Sequence, residues 1–267
     1  MNYEFLKKLI QPADTKIVML IMDGLGGLPK EPGGKTELET AHTPHMDALA
    51  ARSALGFSSP AGAGIAVGSG PGHLAIFGFD PIEHEIGRGA LEALGVDIDL
   101  GAEDIAARGN FCKVDANGIL TDRRAGRLAT PEAFRLAKML NSIAIDGVQI
   151  QVEPIKEHRF ALVMRGEGLA AKISDTDPLV EGVAPRQAVA LDQASEKAAR
   201  LVNAYIQKAQ EILRSEEPAN MVLLRGFDKL PVLPKYGELF KLCAASIAVN
   251  GMYKGVSRLV GMQVLPV

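Results

Sequence analysis

The sequence predicts an α/β fold in which a parallel-sheet domain is interrupted by an inserted α+β domain. Three observations lead there. Lys16-Ile17-Val18-Met19-Leu20-Ile21-Met22 is apolar without alternation and runs into Asp23-Gly24-Leu25-Gly26-Gly27, the pattern of a strand covered on both faces that ends in a loop. Near residue 104 the texture changes to hairpin, helix and strand signals, and at Met221 to Leu224 and Leu242 to Val249 short apolar runs read as a return to the first sheet. The predicted organisation is therefore 1–104 for the first part of the sheet domain, 105–219 for the insert and 220–267 for the return.

Each element has its own signal. Thr43-Pro44 reads as an N-cap followed by proline at the first helical position, with Met46, Leu49, Ala50 and Leu55 forming the apolar stripe of a helix from about His45 to Ala54. Leu74 to Phe79 is helix-compatible, and Glu83 to Gly95 contains Gly87-Arg88-Gly89. Asn110 to Val114, a turn at Asn117-Gly118 and Ile119 to Thr121 predict a β-hairpin, because Asn-Gly readily takes the positive φ angles of a tight turn. Thr130-Pro131 is expected to cap a helix to about Ile143. Val148 to Val152 and Phe160 to Met164 read as strands, Asp175 to Pro185 as a loop, and Gln187 to Arg214 as a long amphipathic helix.

Composition narrows the function classes. A chain of 267 residues that is 47% hydrophobic can bury a substantial core. A formal net charge of −3 gives no overall attraction to nucleic acid or to an anionic membrane surface. The longest apolar run is too short to span a bilayer, and no signal core follows the N-terminus, so a cytoplasmic protein is expected. Cys112 and Cys243 are too few for a disulfide framework and both read as core.

The stretch Gly68-Ser69-Gly70-Pro71-Gly72-His73 sets one hydroxyl among glycines at the start of a helix-compatible segment. Glycines let a phosphate approach the backbone, and the amides that open a helix favour an anion, so Ser69 is a candidate phosphoryl acceptor. Asp23 falls at the carboxyl end of the first predicted strand, where open α/β sheets place ligands. Gly33-Gly34-Lys35-Thr36 fails as a phosphate-cradling P-loop, because the position that needs a glycine is Pro29. His42 and His45 are separated by a helix start and do not share a helical face. Arginines collect at Arg108, Arg123, Arg124, Arg127, Arg159 and Arg165, with Arg88 upstream. The planar guanidinium pairs with carboxylate or phosphate in two places, as a site for a small phosphorylated acid requires.

The motifs Met22-Asp23-Gly24-Leu25-Gly26, Gly34-Lys35-Thr36-Glu37-Leu38-Glu39-Thr40-Ala41, Gly68-Ser69, His73-Leu74-Ala75-Ile76-Phe77-Gly78-Phe79-Asp80-Pro81, Gly87-Arg88-Gly89, Arg108-Gly109-Asn110-Phe111, Asp122-Arg123-Arg124-Ala125-Gly126-Arg127, Glu157-His158-Arg159-Phe160, Leu224-Arg225-Gly226 and Tyr253-Lys254-Gly255 occur in this order. Together they resemble the cofactor-independent (2,3-bisphosphoglycerate-independent) phosphoglycerate mutases of the archaeal type, in the alkaline phosphatase superfamily. The resemblance runs over nearly the whole chain. It implies an alkaline-phosphatase-like sheet domain, incomplete here, with an inserted domain that closes over the substrate. It implies an isomerase of glycolysis and gluconeogenesis that interconverts 2-phosphoglycerate and 3-phosphoglycerate through a phosphoserine. Ser69 matches the nucleophile and a metal ligand, and Asp23 matches a metal-binding aspartate for two divalent ions, manganese, magnesium or zinc. Arg88, Arg123, Arg124, Arg127, His158, Arg159 and Lys254 are then the substrate-binding residues.

Two departures stand out. Many relatives carry aspartate after the nucleophilic serine, where this chain has Gly70. The family's Asp-x-x-Gly-His-Asp and Asp-His stretches, which supply most metal ligands, do not occur in these residues. The expectation is an N-terminal part of such an enzyme, a truncated product or one half of a split protein. A separately encoded C-terminal half or a homo-oligomer is the expected protein partner, and a phosphorylated acid the expected small one.

Overall fold

The computed structural model describes residues 3–267, which divide into two compact units, one of 11–59 and one of 60–267 together with the start of the chain to residue 10.

The unit of 11–59 holds two short helices, and none of its residues is buried. The helix that precedes it, α1, covers Tyr3–Leu9. Within the unit, α2 is Glu37–Thr40, opened by a capping box in which the Thr36 hydroxyl accepts from the Glu39 amide and the Glu39 carboxylate accepts from the Thr36 amide. Helix α3, Pro44–Ala50, starts at the predicted proline and stops earlier than the apolar stripe suggests. The expected strand at Ile17 to Met22 is not there: these residues have no regular structure, with Val18 90% and Leu20 80% exposed. A strand exists only with hydrogen-bonded neighbours, and none of the described residues forms a ladder with this run.

In the larger unit, α4 is Ser69–Ile76 and α5 is Arg88–Gly95. Strand β1, Ile105–Val114, is the middle of a five-stranded antiparallel sheet. It turns at Asp115 to Gly118 into β2, Leu120–Asp122, as the Asn-Gly signal predicts, with Gly118 at φ +77° and the Asp115 carboxylate accepting from the amides of Asn117 and Ile119. Helix α6, Thr130–Leu140, begins one residue earlier than expected: Ala129 is the cap, and the Thr130 hydroxyl accepts from the Glu157 amide. Strands β3, Gln149–Lys156, and β4, Arg159–Arg165, follow. Helix α7, Glu196–Leu213, starts later than the amphipathic pattern, behind a short 3-10 turn whose Asp192 side chain accepts from Ser195.

Strand β5, Met221–Asp228, pairs with β1 along the edge opposite β4. The run read as a return to the first sheet therefore belongs to the sheet of β1 to β4. Beyond it lie α8, Tyr236–Phe240, then β6, Ala245–Ile247, α9, Gly251–Leu259, and β7, Gln263–Leu265. Strands β6 and β7 are parallel, the βαβ arrangement expected of an α/β sheet.

Alternation along the strands divides the five-stranded sheet into two faces. Ile105, Phe111, Phe160, Leu162, Met164, Val222 and Leu224 enter the main core with α6 and α7. Ala106, Ala161 and Val163 point the other way, where they pack with Ala90 and Ala93 of α5. Cys112 is buried, and burial raises its thiol pKa, whereas Cys243 is exposed rather than core. Among the described residues no helix is long and apolar enough to cross a membrane.

Candidate functional site

Ser69 is the first residue of α4, after the extended cap residue Gly68, and it is exposed. Its carbonyl lies 2.8 Å from Nδ1 of His73, whose ring packs against Tyr253 of α9 with centroids 4.3 Å apart and planes tilted by 31°. Gly70 is buried, and a Cβ there would sit 2.7 Å from Leu91 Cδ1. An aspartate at that position would have to push Leu91 aside, so the glycine belongs to the packing of α4 on α5.

Arg88 opens α5 beside this serine: its Nη2 lies 3.7 Å from where a Cβ on Gly68 would be. Its backbone is fixed by two contacts. The Gly87 amide donates to the Asp228 carboxylate, and Gly226, at φ +63°, leaves only 3.1 Å between its hypothetical Cβ and Arg88.

The sheet face that α5 covers carries the rest of the site. Asn110 is paired with Arg159 across β1 and β4, and Arg108 with Arg225 across β1 and β5, so strand register places the four side chains on one face. Glu92 of α5 reaches into them, with Oε1 3.8 Å from Arg108 Nη1, and both side chains are largely shielded from solvent. Burial lowers the Arg108 guanidinium to about 10; Glu92 opposes that, and Arg159, Arg225 and Arg88 add to it. Burial likewise raises the Glu92 carboxyl, while Arg108, Arg159 and Arg88 pull it back. Nε of Arg108, Nε of Arg159, Oδ1 of Asn110 and Nδ1 of His158 are all buried without a hydrogen-bond partner. Buried polar groups are normally satisfied. The two orphaned guanidinium donors, Nε of Arg108 and Nε of Arg159, are chemically suited to an anion.

Other candidates sit at different distances from this centre. His158 is buried, and its pKa is lowered to about 4, first by burial and then by Arg159, with Arg108 and Arg124 contributing and Glu157 opposing. It is a neutral imidazole near neutral pH. Arg124 and Arg127 are exposed on the turn after β2, with Arg127 at φ +54°. Arg123 has its fork engaged, donating to Asp177 from Nε at 2.9 Å and Nη2 at 2.8 Å. Asp177 also faces Arg225 Nη1 at 3.5 Å. Burial acts to raise Asp177, but these arginines and the Leu179 amide hold it below the usual carboxylate range. Lys254 is half-buried on α9. Arg108, one of the arginines the sequence offers, completes the cluster with Arg225, Asn110 and Glu92, which the sequence does not mark as site residues. Their signal was the period-two alternation of Ala106, Arg108 and Asn110, read together with the pairing of β1 to β5.

Asp23 lies in an exposed turn of the 11–59 unit, followed by Gly24 at φ +75°. Among the described residues, no three His, Cys, Asp or Glu side chains gather as ligands for one ion. The residues present do not fit the two-metal site that the resemblance implies.

The family described as 2,3-bisphosphoglycerate-independent phosphoglycerate mutase matches residues 50–220. The chain belongs to this family. It is 49% identical over 267 residues to a "Probable 2,3-bisphosphoglycerate-independent phosphoglycerate mutase" of Thermus thermophilus, covering 99% of this chain and 66% of that protein. A protein of the same name from Thermotoga maritima is 46% identical over 264 residues, covering 98% of this chain and 65% of its own length. The chain thus spans just under two thirds of these mutases. Among solved structures, the PH0037 protein from Pyrococcus horikoshii aligns with a TM-score of 0.72 and 31% identity, over 91% of this chain and 59% of that one. The cofactor-independent phosphoglycerate mutase from Thermoplasma acidophilum aligns with a TM-score of 0.58 and 32% identity, over 73% of this chain and 56% of that one. The mixed α/β architecture is shared with these two solved structures.

Proposed function

We propose that this chain carries the serine and arginine machinery of a phosphoglycerate mutase that interconverts 2-phosphoglycerate and 3-phosphoglycerate. One observation carries the reading: the Arg88 guanidinium lies against the cap of the helix that Ser69 opens, with Arg108, Arg159 and Arg225 gathered on the sheet face behind the same helix α5. Ser69 Oγ attacks phosphorus, the bond from phosphorus to the glycerate oxygen breaks, and the serine proton ends on the released hydroxyl. The other hydroxyl of the retained glycerate then attacks the phosphoserine and regenerates Ser69. The exposed α4 N-terminus and Arg88 face the transferring group, whose negative charge they stabilise. Arg108, Arg159 and Lys254 hold the remaining oxyanions, and Arg124 and Arg127 contact the glycerate from the exposed turn. Arg123 positions Asp177 and Arg225, and neutral His158 offers a hydrogen bond without adding charge. Asp23 matches the metal-binding aspartate of the family, without the further ligands that would complete such a site among the described residues.

In this reading residues 1–104 and the chain beyond β5 build the catalytic part, the sheet of β1 to β5 with its helices belongs to the part that closes on substrate, and the reaction takes place in the cytoplasm. Incubation of the purified chain with 3-phosphoglycerate, followed by mass spectrometry of the Ser69 peptide, tests it. Phosphoserine at Ser69, absent from Ser69→Ala while that variant still binds 3-phosphoglycerate, is the expected result. Undiminished phosphoryl transfer in Ser69→Ala overturns the nucleophile. Binding with no phosphoserine overturns the serine half and leaves the arginine half.

A further inference from the structure

One carboxylate stands inside a site otherwise built to attract anions. Glu92 is 6% exposed, on the inner face of α5, and its approach to Arg108 at 3.8 Å is that of a charge neighbour rather than a tight bidentate pair. The groups facing it are Arg88 from its own helix, Arg108 from β1 and Arg159 from β4. From α9 it meets backbone, with Oε2 3.6 Å from where a Cβ on Gly251 would sit. Arg225, on β5, shares the Asp177 carboxylate with Arg123.

We propose that Glu92 is a specificity-determining residue of the arginine site, an internal carboxylate that competes with the incoming anion and cancels one unit of the positive charge presented by Arg88, Arg108 and Arg159. A more highly charged anion gains less from this site than from the same arginines without Glu92. The unsatisfied Nε atoms of Arg108 and Arg159 agree with this arrangement: Glu92 is close enough to neutralise charge but does not take up those donors, which stay open to a ligand.

The inference rests on the arginine cluster being the anion site proposed above, and calorimetry separates the two claims. Binding of inorganic phosphate and of pyrophosphate is measured at fixed ionic strength for the unmodified chain, Glu92→Gln and Glu92→Asp. Glu92→Gln removes the charge at nearly constant shape and is expected to bind phosphate about tenfold tighter, with a larger gain for pyrophosphate. Glu92→Asp keeps the charge but withdraws it by one methylene, and a gain of about two- to threefold is expected. A merely structural role would weaken binding in both variants. Phosphate binding to folded Glu92→Gln that is unchanged or weaker overturns the proposal while leaving the anion site intact. If Glu92→Gln does not fold, the absence of any gain in Glu92→Asp overturns it. Binding by Glu92→Gln alone, with none by the unmodified chain, supports the competing carboxylate and overturns the substrate reading. No binding by any of the three chains overturns both.

Discussion

Two apolar runs of this chain have opposite fates. Phe160 to Met164 forms the middle of β4, flanked by β1 and β3, and every residue in it is at most 2% exposed. Ile17 to Met22 is just as apolar, yet its side chains are between 36% and 90% exposed and its backbone is in no ladder. The difference lies in their neighbours. Phe160 packs against Phe111 with ring centroids 4.8 Å apart and planes tilted by 46°, and its backbone is held in register with Gly109. An unalternating apolar run marks a segment that can be covered on both faces, and whether it is covered depends on partner strands elsewhere in the fold.

The largest effect separating the two runs is expected at Phe160. Phe160→Ala removes a fully buried ring from the main core and should cost about 3–5 kcal/mol in urea denaturation. A cost below about 1 kcal/mol would break the comparison from the buried side.

An intermediate effect sharpens it. His158, just before β4, is buried by the same sheet, and its folded pKa of about 4 lies below its ordinary value. The unfolded chain therefore binds more protons between those values, so His158 costs stability progressively as pH falls through about 6.5 toward 4 and contributes nothing above that range. Denaturation midpoints measured from about pH 7 down to about pH 4 should fall less steeply for His158→Gln than for the unmodified chain. Identical slopes would mean that the imidazole is solvated in solution.

The smallest effect belongs to the exposed run. Leu20→Asp should change the stability by less than about 0.5 kcal/mol, the usual range for a surface substitution. A loss above about 2 kcal/mol would show that Leu20 is covered in solution and would erase the contrast with β4.

Local chemistry was legible from the residues. The Asn117-Gly118 turn and the proline-led starts of α3 and α6 follow from φ preference and helix-start chemistry, and β3 and β4 from short apolar runs, all signals that act over a few residues. Burial of Ile17 to Met22 and membership of β5 were not legible, because both depend on pairing across long separations: β1 finds its partner more than 100 residues away. The site divided in the same way. Ser69, Arg88 and Arg159 carried recognisable motifs, whereas Glu92 and Arg225 acquired meaning only when register and helix packing set them beside Arg108. The buried carboxylate of Asp177 engages the Arg123 fork, a pairing that no local pattern announces.

The packing of α5 on α9 has a consequence for how such a site meets its ligand. A Cβ on Gly95 would strike the Gly251 carbonyl, and one on Gly255 would strike the Leu91 carbonyl, so the two helices touch backbone to backbone. Interlocked main chains have no soft side-chain layer on which to slide. Arg88 and Glu92 on one helix and Lys254 on the other therefore stand on a common chassis. The gap between their backbones is a fixed gauge, and only side-chain torsions remain to adjust the grip.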